Sequence, residues 1–183
     1  ILPDADDLFG ESMDGRIAGV QAHDEDDEVA DDLSRKLRVI SRADLFSGVT
    51  SRNQRLLAFA AQWYTAEPGQ RIFSMDEKPD AAYLCVKGSA VLSYDGEDGA
   101  DRHVTTIEPG RLIGDLAIIL NEPRQLHLTA LTEVTFLRIG AAEFRAVLEE
   151  DATVLRSLLN TVASHLTGAA ELLRQATVQI SQD

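Results

Sequence analysis

Between residues 68 and 140 the backbone is told to turn so often that few long elements fit. Pro68-Gly69, Lys87-Gly88, the run "DGEDG" at 95 to 99 and Pro109-Gly110 follow one another at short intervals. Proline presets φ for a turn and glycine accepts the left-handed conformations that other residues resist. The intervening runs "QRIFSM", "AAYLCVKG", "SAVLSYD", "RHVTTIEPG" and "LHLTALTEVTFLRI" are short and rich in β-branched and aromatic residues. This pattern predicts a mainly β chain, an antiparallel jelly-roll-like sandwich or roll.

Helical spacing flanks the strand region. Leu33, Leu37 and Ile40 recur at helical intervals, and Leu56, Leu57, Phe59, Ala60 and Trp63 follow the capping signal Thr50-Ser51. Two N-terminal helices with a turn at Ser47-Gly48 are expected. After Ile139, "AAEFRAVLEE" reads as one helix and residues 152 to 176 as another. On the latter, Leu155, Leu159, Val162, Leu166, Ala169, Leu173 and Ala176 form one apolar seam, which either covers the roll or meets its copy in a homodimer.

Charge divides the chain differently. The net charge is −14, and residues 1 to 32 hold twelve acids against the single Arg16. Residues 1 to 30, including "HDEDDE", are expected to be an acidic flexible tether, and 31 to 183 the folded domain. The acidic run lacks the ligand spacing and turn glycine of a calcium loop, so no metal is expected there. Such a charge balance repels nucleic acid and anionic lipid, and neither is an expected partner. No apolar run reaches the roughly 18 residues of a membrane span, and no secretory signal opens the chain. One cysteine, Cys85, excludes an internal disulfide and sits in an apolar run as a structural thiol, compatible with a cytoplasmic location. The four histidines, His23, His103, His127 and His165, are scattered, and neither a "GxSxG" nucleophile nor a nucleotide P-loop occurs. An enzyme is not expected.

The stretch "IGDLAIILNEPRQLHLTA", residues 113 to 130, is where chemistry concentrates. A short helix inserted between strands exposes unpaired N–H groups at its start, and Gly114 there would let an anion approach. Arg124, just beyond Pro123, offers the bidentate donor fork that suits phosphate. Asp115 cannot favour a phosphate but can accept hydrogen bonds from sugar hydroxyls.

The order of these elements, with Leu45-Phe46, "PGQRIF", "AAYLCVKGSAVL", "PGRLIGDLAIIL" and "PR", resembles the cyclic nucleotide-binding domain family over roughly residues 40 to 176. The resemblance implies a β-roll with N-terminal helices, a short phosphate-cassette helix and two C-terminal helices. It implies cAMP or cGMP, or a related phosphate ligand, held by Gly114, Asp115, Leu116, Ala117, Arg124, Gln125 and His127. In that family the cassette reads approximately Phe-Gly-Glu-Leu-Ala, a spacer, then Pro-Arg-Ala-Ala-Thr. Here Asp115 stands for the glutamate, Gln125 and Leu126 for the alanines and His127 for the threonine. The shorter Asp115 retracts its carboxylate by roughly 1.5 Å. His127 is expected either to donate to phosphate, more strongly when protonated, or to fill the pocket. The effector would lie in the same longer polypeptide, such as a transporter or channel. The alternative is a degenerate, ligand-free scaffold for dimerisation or protein interaction, with Arg124 paired to an acid such as Glu122 or Asp115.

Overall fold

The computed structural model describes residues 17–46, 48–150, 156 and 159. The chain divides into two compact units, residues 1–35 and 36–183. The helix α1, Ile17–Arg42, begins in the first and ends in the second. It includes "HDEDDE", part of the stretch expected as an acidic tether over residues 1 to 30. Its acids, Asp24 to Asp32, precede its bases, Arg35, Lys36, Arg38 and Arg42; the first turn carries no acid, and Arg42 in the last turn is the charge that meets the favourable end of the helix dipole.

A single 3-10 turn, Asp44–Phe46, leads to α2, Ser51–Ala60. The Thr50 hydroxyl caps α2 by accepting from the Asn53 N–H at 3.4 Å. The helix stops earlier than the apolar spacing implies: Ala61 is extended, and Trp63 lies in the strand β1, Gln62–Ala66. The run Trp63-Tyr64-Thr65 favours a pleated surface, and pairing with the last strand outweighs helical periodicity.

The remaining strands are β2 (Arg71–Phe73), β3 (Ala81–Lys87), β4 (Ala90–Asp95), β5 (Asp101–Ile107), β6 (Leu112–Ile113), β7 (His127–Ala130) and β8 (Val134–Gly140). Two four-stranded sheets result, in the orders β1-β8-β3-β6 and β2-β7-β4-β5, and every strand pairing is antiparallel. The predicted roll is therefore present. The stretch expected to be one strand from Leu126 divides at residues 131–133 into β7 and β8. Between β6 and β7 sits α3, Asp115–Leu120; α4, Ala141–Glu150, follows β8. The long helix expected over 152 to 176 lies outside the described residues except for Arg156 and Leu159, both helical.

Alternation along β8 explains how one strand serves two cores. Val134 and Phe136 face the interior of the roll with Phe73, Tyr83, Cys85 and Leu128. Leu137 and Ile139, of opposite parity, are also buried, as are Ile40, Phe46, Leu57, Phe144 and Val147 of the helices. Phe46 and Phe144 meet edge to face, with centroids 6.4 Å apart. This packing fixes α4 close behind the strand that ends beside α3.

Cys85 is buried in the roll, and burial pushes its thiol up to about 11. At neutral pH the reactive thiolate is therefore scarce and covered. A thiol reagent should label the native protein slowly at pH 7.5 and stoichiometrically in denaturant. Rapid native labelling would show that Cys85 is accessible after all.

Candidate functional site

The site grows from a conflict between burial and charge. Arg124 is only 2% exposed, although a guanidinium cannot lose its charge. Its backbone is pinned by two hydrogen bonds to the turn after β2: its N–H donates to the Glu77 carbonyl at 2.9 Å, and its carbonyl accepts from the Asp76 N–H at 2.7 Å. The side chain then points into the roll, its guanidinium carbon 3.9 Å from the centroid of the Phe73 ring and 5.8 Å from that of Tyr83. Such stacking suits a weakly hydrated planar cation.

One nitrogen of the guanidinium is spent. Nη2 donates to Asp80 Oδ1 at 2.9 Å and to the Ala81 carbonyl at 2.8 Å. The other Asp80 oxygen accepts from Arg138 at 2.7 Å. Burial pushes the Asp80 carboxyl up, but hydrogen bonds from Arg138 and Arg124 outweigh it and hold the group below the usual carboxylate range. Neither acid expected beside Arg124, Glu122 or Asp115, is the one found: the partner is Asp80, 44 residues earlier. A depressed folded-state value means this clamp contributes stability above the unfolded value and loses it as pH falls through the folded one. Asp80→Asn should thus lower the melting temperature modestly at pH 6, since the carboxylate is half exposed, and the gap to the parent should close below about pH 4. A gap that persists unchanged at pH 3 would exclude the charge as its origin.

The other two nitrogens have no protein partner. Nε and Nη1 are buried without a hydrogen-bond partner among the described residues, an arrangement that costs on the order of 1 to 3 kcal/mol per group. The Nε–H points to the Nη2 side of the guanidinium, whereas Nη1 faces Gly114. This residue caps α3 at φ +84, and a Cβ built there would stand 2.5 Å from Arg124 Nη1 and 3.3 Å from the Ala81 carbonyl oxygen. A glycine thus keeps a cradle open between the start of α3 and the unused donors. Asp115 and Ala117 are half-buried on α3, while Leu116 is exposed. Gln125 is exposed and lines an open groove of about 570 Å³ with Met75, Asp76, Glu122, Pro123 and Arg124.

His127 is not brought to the fork. It alternates with Leu128, which faces the interior, so its ring lies on the opposite face of β7 from Arg124. The Met75 N–H donates to Nδ1 at 2.9 Å, which leaves the ring proton on Nε2, 3.2 Å from Asp95 Oδ1 without hydrogen-bond alignment. His127 thus holds the turn that also pins Arg124. Donor atoms of Asp95, Asp101 and His127 lie within 4.8 Å of one another. A metal would need the Nε2 lone pair while the other nitrogen kept a proton. Here the Met75 N–H occupies Nδ1 and Asp101 already pairs with Arg71 at 3.3 Å, so the cluster does not read as a metal centre.

The signal for Asp80 was present only as an acid ahead of β3, and many acids are placed so. Nothing local marks it as the partner of Arg124, because the two meet only once β3 and the cassette are folded together.

Comparison with known proteins bears on this geometry. A family model for the cyclic nucleotide-binding domain matches residues 64–151. The chain is 29% identical over 109 residues to a cAMP-dependent protein kinase regulatory subunit of Yarrowia lipolytica, covering 60% of this chain and 28% of the relative. It is 27% identical over 129 residues to the potassium channel KAT3 of Oryza sativa subsp. japonica, covering 68% of this chain and 25% of the channel. The chain thus spans about a quarter of the length of these relatives. A solved cyclic nucleotide-binding-like protein of Brucella abortus is 30% identical, with a TM-score of 0.55, over 63% of this chain and 98% of that one.

Proposed function

Given that this chain belongs to the cyclic nucleotide-binding domain family, we propose that it senses cAMP or cGMP and passes the occupancy of its site to an effector in the same polypeptide. The observation that carries the reading is Arg124, a fully buried cation whose unpartnered Nη1 stands opposite a glycine that keeps the space clear. A cyclic phosphate brings two exocyclic oxygens and a single negative charge, which the N–H groups of Nη1 and the cation would meet. Gly114 admits the phosphate, and the α3 backbone at Leu116 and Ala117 lies at its edge. Asp115 takes the sugar hydroxyls, and Gln125 supplies its backbone at the rim. His127 acts through Met75.

Ligand bound to Arg124 would compete with Asp80 for the same guanidinium. Asp80 also accepts the Ala141 N–H through its carbonyl at 2.8 Å, so it ties the cassette to the first residue of α4. Binding would thus shift the population of α4 positions, a signal an effector can read. Relatives that are a kinase regulatory subunit and a potassium channel support a regulatory role with varied effectors.

The test is calorimetric titration with cAMP and with cGMP at pH 7 and pH 6. Saturable binding is expected at both. Absence of heat at millimolar concentrations of both ligands would overturn the sensor reading and leave the ligand-free scaffold.

A further inference from the structure

α4 touches the cassette a second time, one turn beyond Ala141. The half-buried Arg145 donates from Nε to the Ile118 carbonyl at 3.3 Å and from Nη2 to Asn121 Oδ1 at 3.0 Å. Both acceptors belong to the end of α3. Asn121 caps that helix in the left-handed region, at φ +53, and its N–H reaches the Ala117 and Ile118 carbonyls. The Glu122 N–H also returns to the Ala117 carbonyl at 3.1 Å.

A six-residue helix is too short to hold itself, since nucleation costs more than so few hydrogen bonds return. Its last carbonyls need donors, and a cation at a helix C-terminus also meets the favourable end of the dipole. Arg145 supplies both from another element. The opposite end of α3 abuts Gly114 and Arg124. The helix therefore has its ligand-facing start at the cradle and its end in the grip of α4, whose own packing rests on buried Phe144 and Val147.

We infer that Arg145 is a positioning residue, a latch through which displacement of α3 is transmitted to α4. The inference rests on the sensor reading, in which ligand acts at the start of α3. Arg145 itself stands at the far end of that helix from Gly114 and has no role in holding the ligand. Without the latch, α3 could still close on the ligand, but α4 would be pulled only through Asp80.

The experiment is amide hydrogen exchange on the whole 183-residue chain, with and without saturating cAMP, for the parent, Arg145→Ala, Arg145→Lys and Asn121→Gly. Glycine suits the left-handed cap, so Asn121→Gly removes the side-chain acceptor while sparing the backbone and serves if Arg145→Ala fails to fold. Without ligand, the Asn121 and Glu122 amides should exchange about 10-fold faster in Arg145→Ala and Asn121→Gly than in the parent. Unchanged exchange there would overturn the latch whether or not the protein binds a nucleotide. With cAMP, the parent should change protection in both α3 and α4, whereas Arg145→Ala should bind within about tenfold of parental affinity and confine the change to α3. Arg145→Lys, with one donor group in place of a fork, should restore the α4 response in part. An equal α4 response in parent and Arg145→Ala would overturn the inference. If the parent itself binds no cyclic nucleotide, the sensor reading fails and transmission with it, while the ligand-free comparison still decides whether Arg145 holds the end of α3.

Discussion

Arg124→Ala should abolish cyclic nucleotide binding while leaving a folded domain. The site offers the two N–H groups of Nη1 as charge-assisted donors beside Gly114, each worth about 1.5 to 3 kcal/mol once a phosphate accepts it. Their joint loss amounts to about 3 to 6 kcal/mol, a fall in affinity of roughly a hundredfold to ten-thousandfold. Ligand-free stability should move by much less. Removing Arg124 forfeits its bonds to Asp80 and the Ala81 carbonyl and its stack on Phe73. It also relieves the burial of two unpaired donors, and the two effects oppose each other. Arg124→Lys should keep the charge but not the fork and fall between. The measurement is calorimetric affinity beside a thermal melt; parental affinity in Arg124→Ala would exclude this arginine as the anion site.

The second large effect is expected at Gly114, where Ala should cost both stability and binding. A left-handed φ of +84 penalises any L-residue, typically by about 1 to 2 kcal/mol. The new Cβ would also overlap Arg124 Nη1 at 2.5 Å. That group cannot simply swing aside, because Asp80, the Ala81 carbonyl and Phe73 hold the guanidinium, and forced repacking of this kind costs about 1 to 3 kcal/mol. A fall in melting temperature on the order of 10 °C should result. Gly69→Ala is the control, since Gly69 has a similar φ of +83 but nothing within 4 Å of its added Cβ. It should show the backbone penalty alone and bind ligand normally. Equal effects at the two positions would mean that the contact with Arg124 contributes nothing.

The turns that divide the roll are written in local chemistry. Pro68-Gly69, Lys87-Gly88 and Pro109-Gly110 govern backbone angles through their own covalent structure, and Gly69, Gly88 and Gly110 do adopt positive φ. The same is true of Gly114, and this is why the cradle was visible before any fold was known. Arg124 was legible for a similar reason, as a cation set between Pro123 and a strand. Periodicity misled at Trp63, where five residues of β1 pair with β8 and outweigh a helical pattern. At "HDEDDE" the acids lie within α1, and a solvated run and a solvated helix face are alike in composition.

Sequence by itself determined the turns and short strands from which the roll is built, the short inserted helix and the closeness of Gly114 and Arg124 in one cassette, because each depends on residues close together in the chain. Tertiary structure alone decided that Asp80 holds Arg124, that His127 faces Met75 and Asp95, and that Arg145 grips the end of α3. Those outcomes follow from the register between strands and from which side of a sheet each residue meets. Both are settled by packing across the whole core, which no short window of residues encodes.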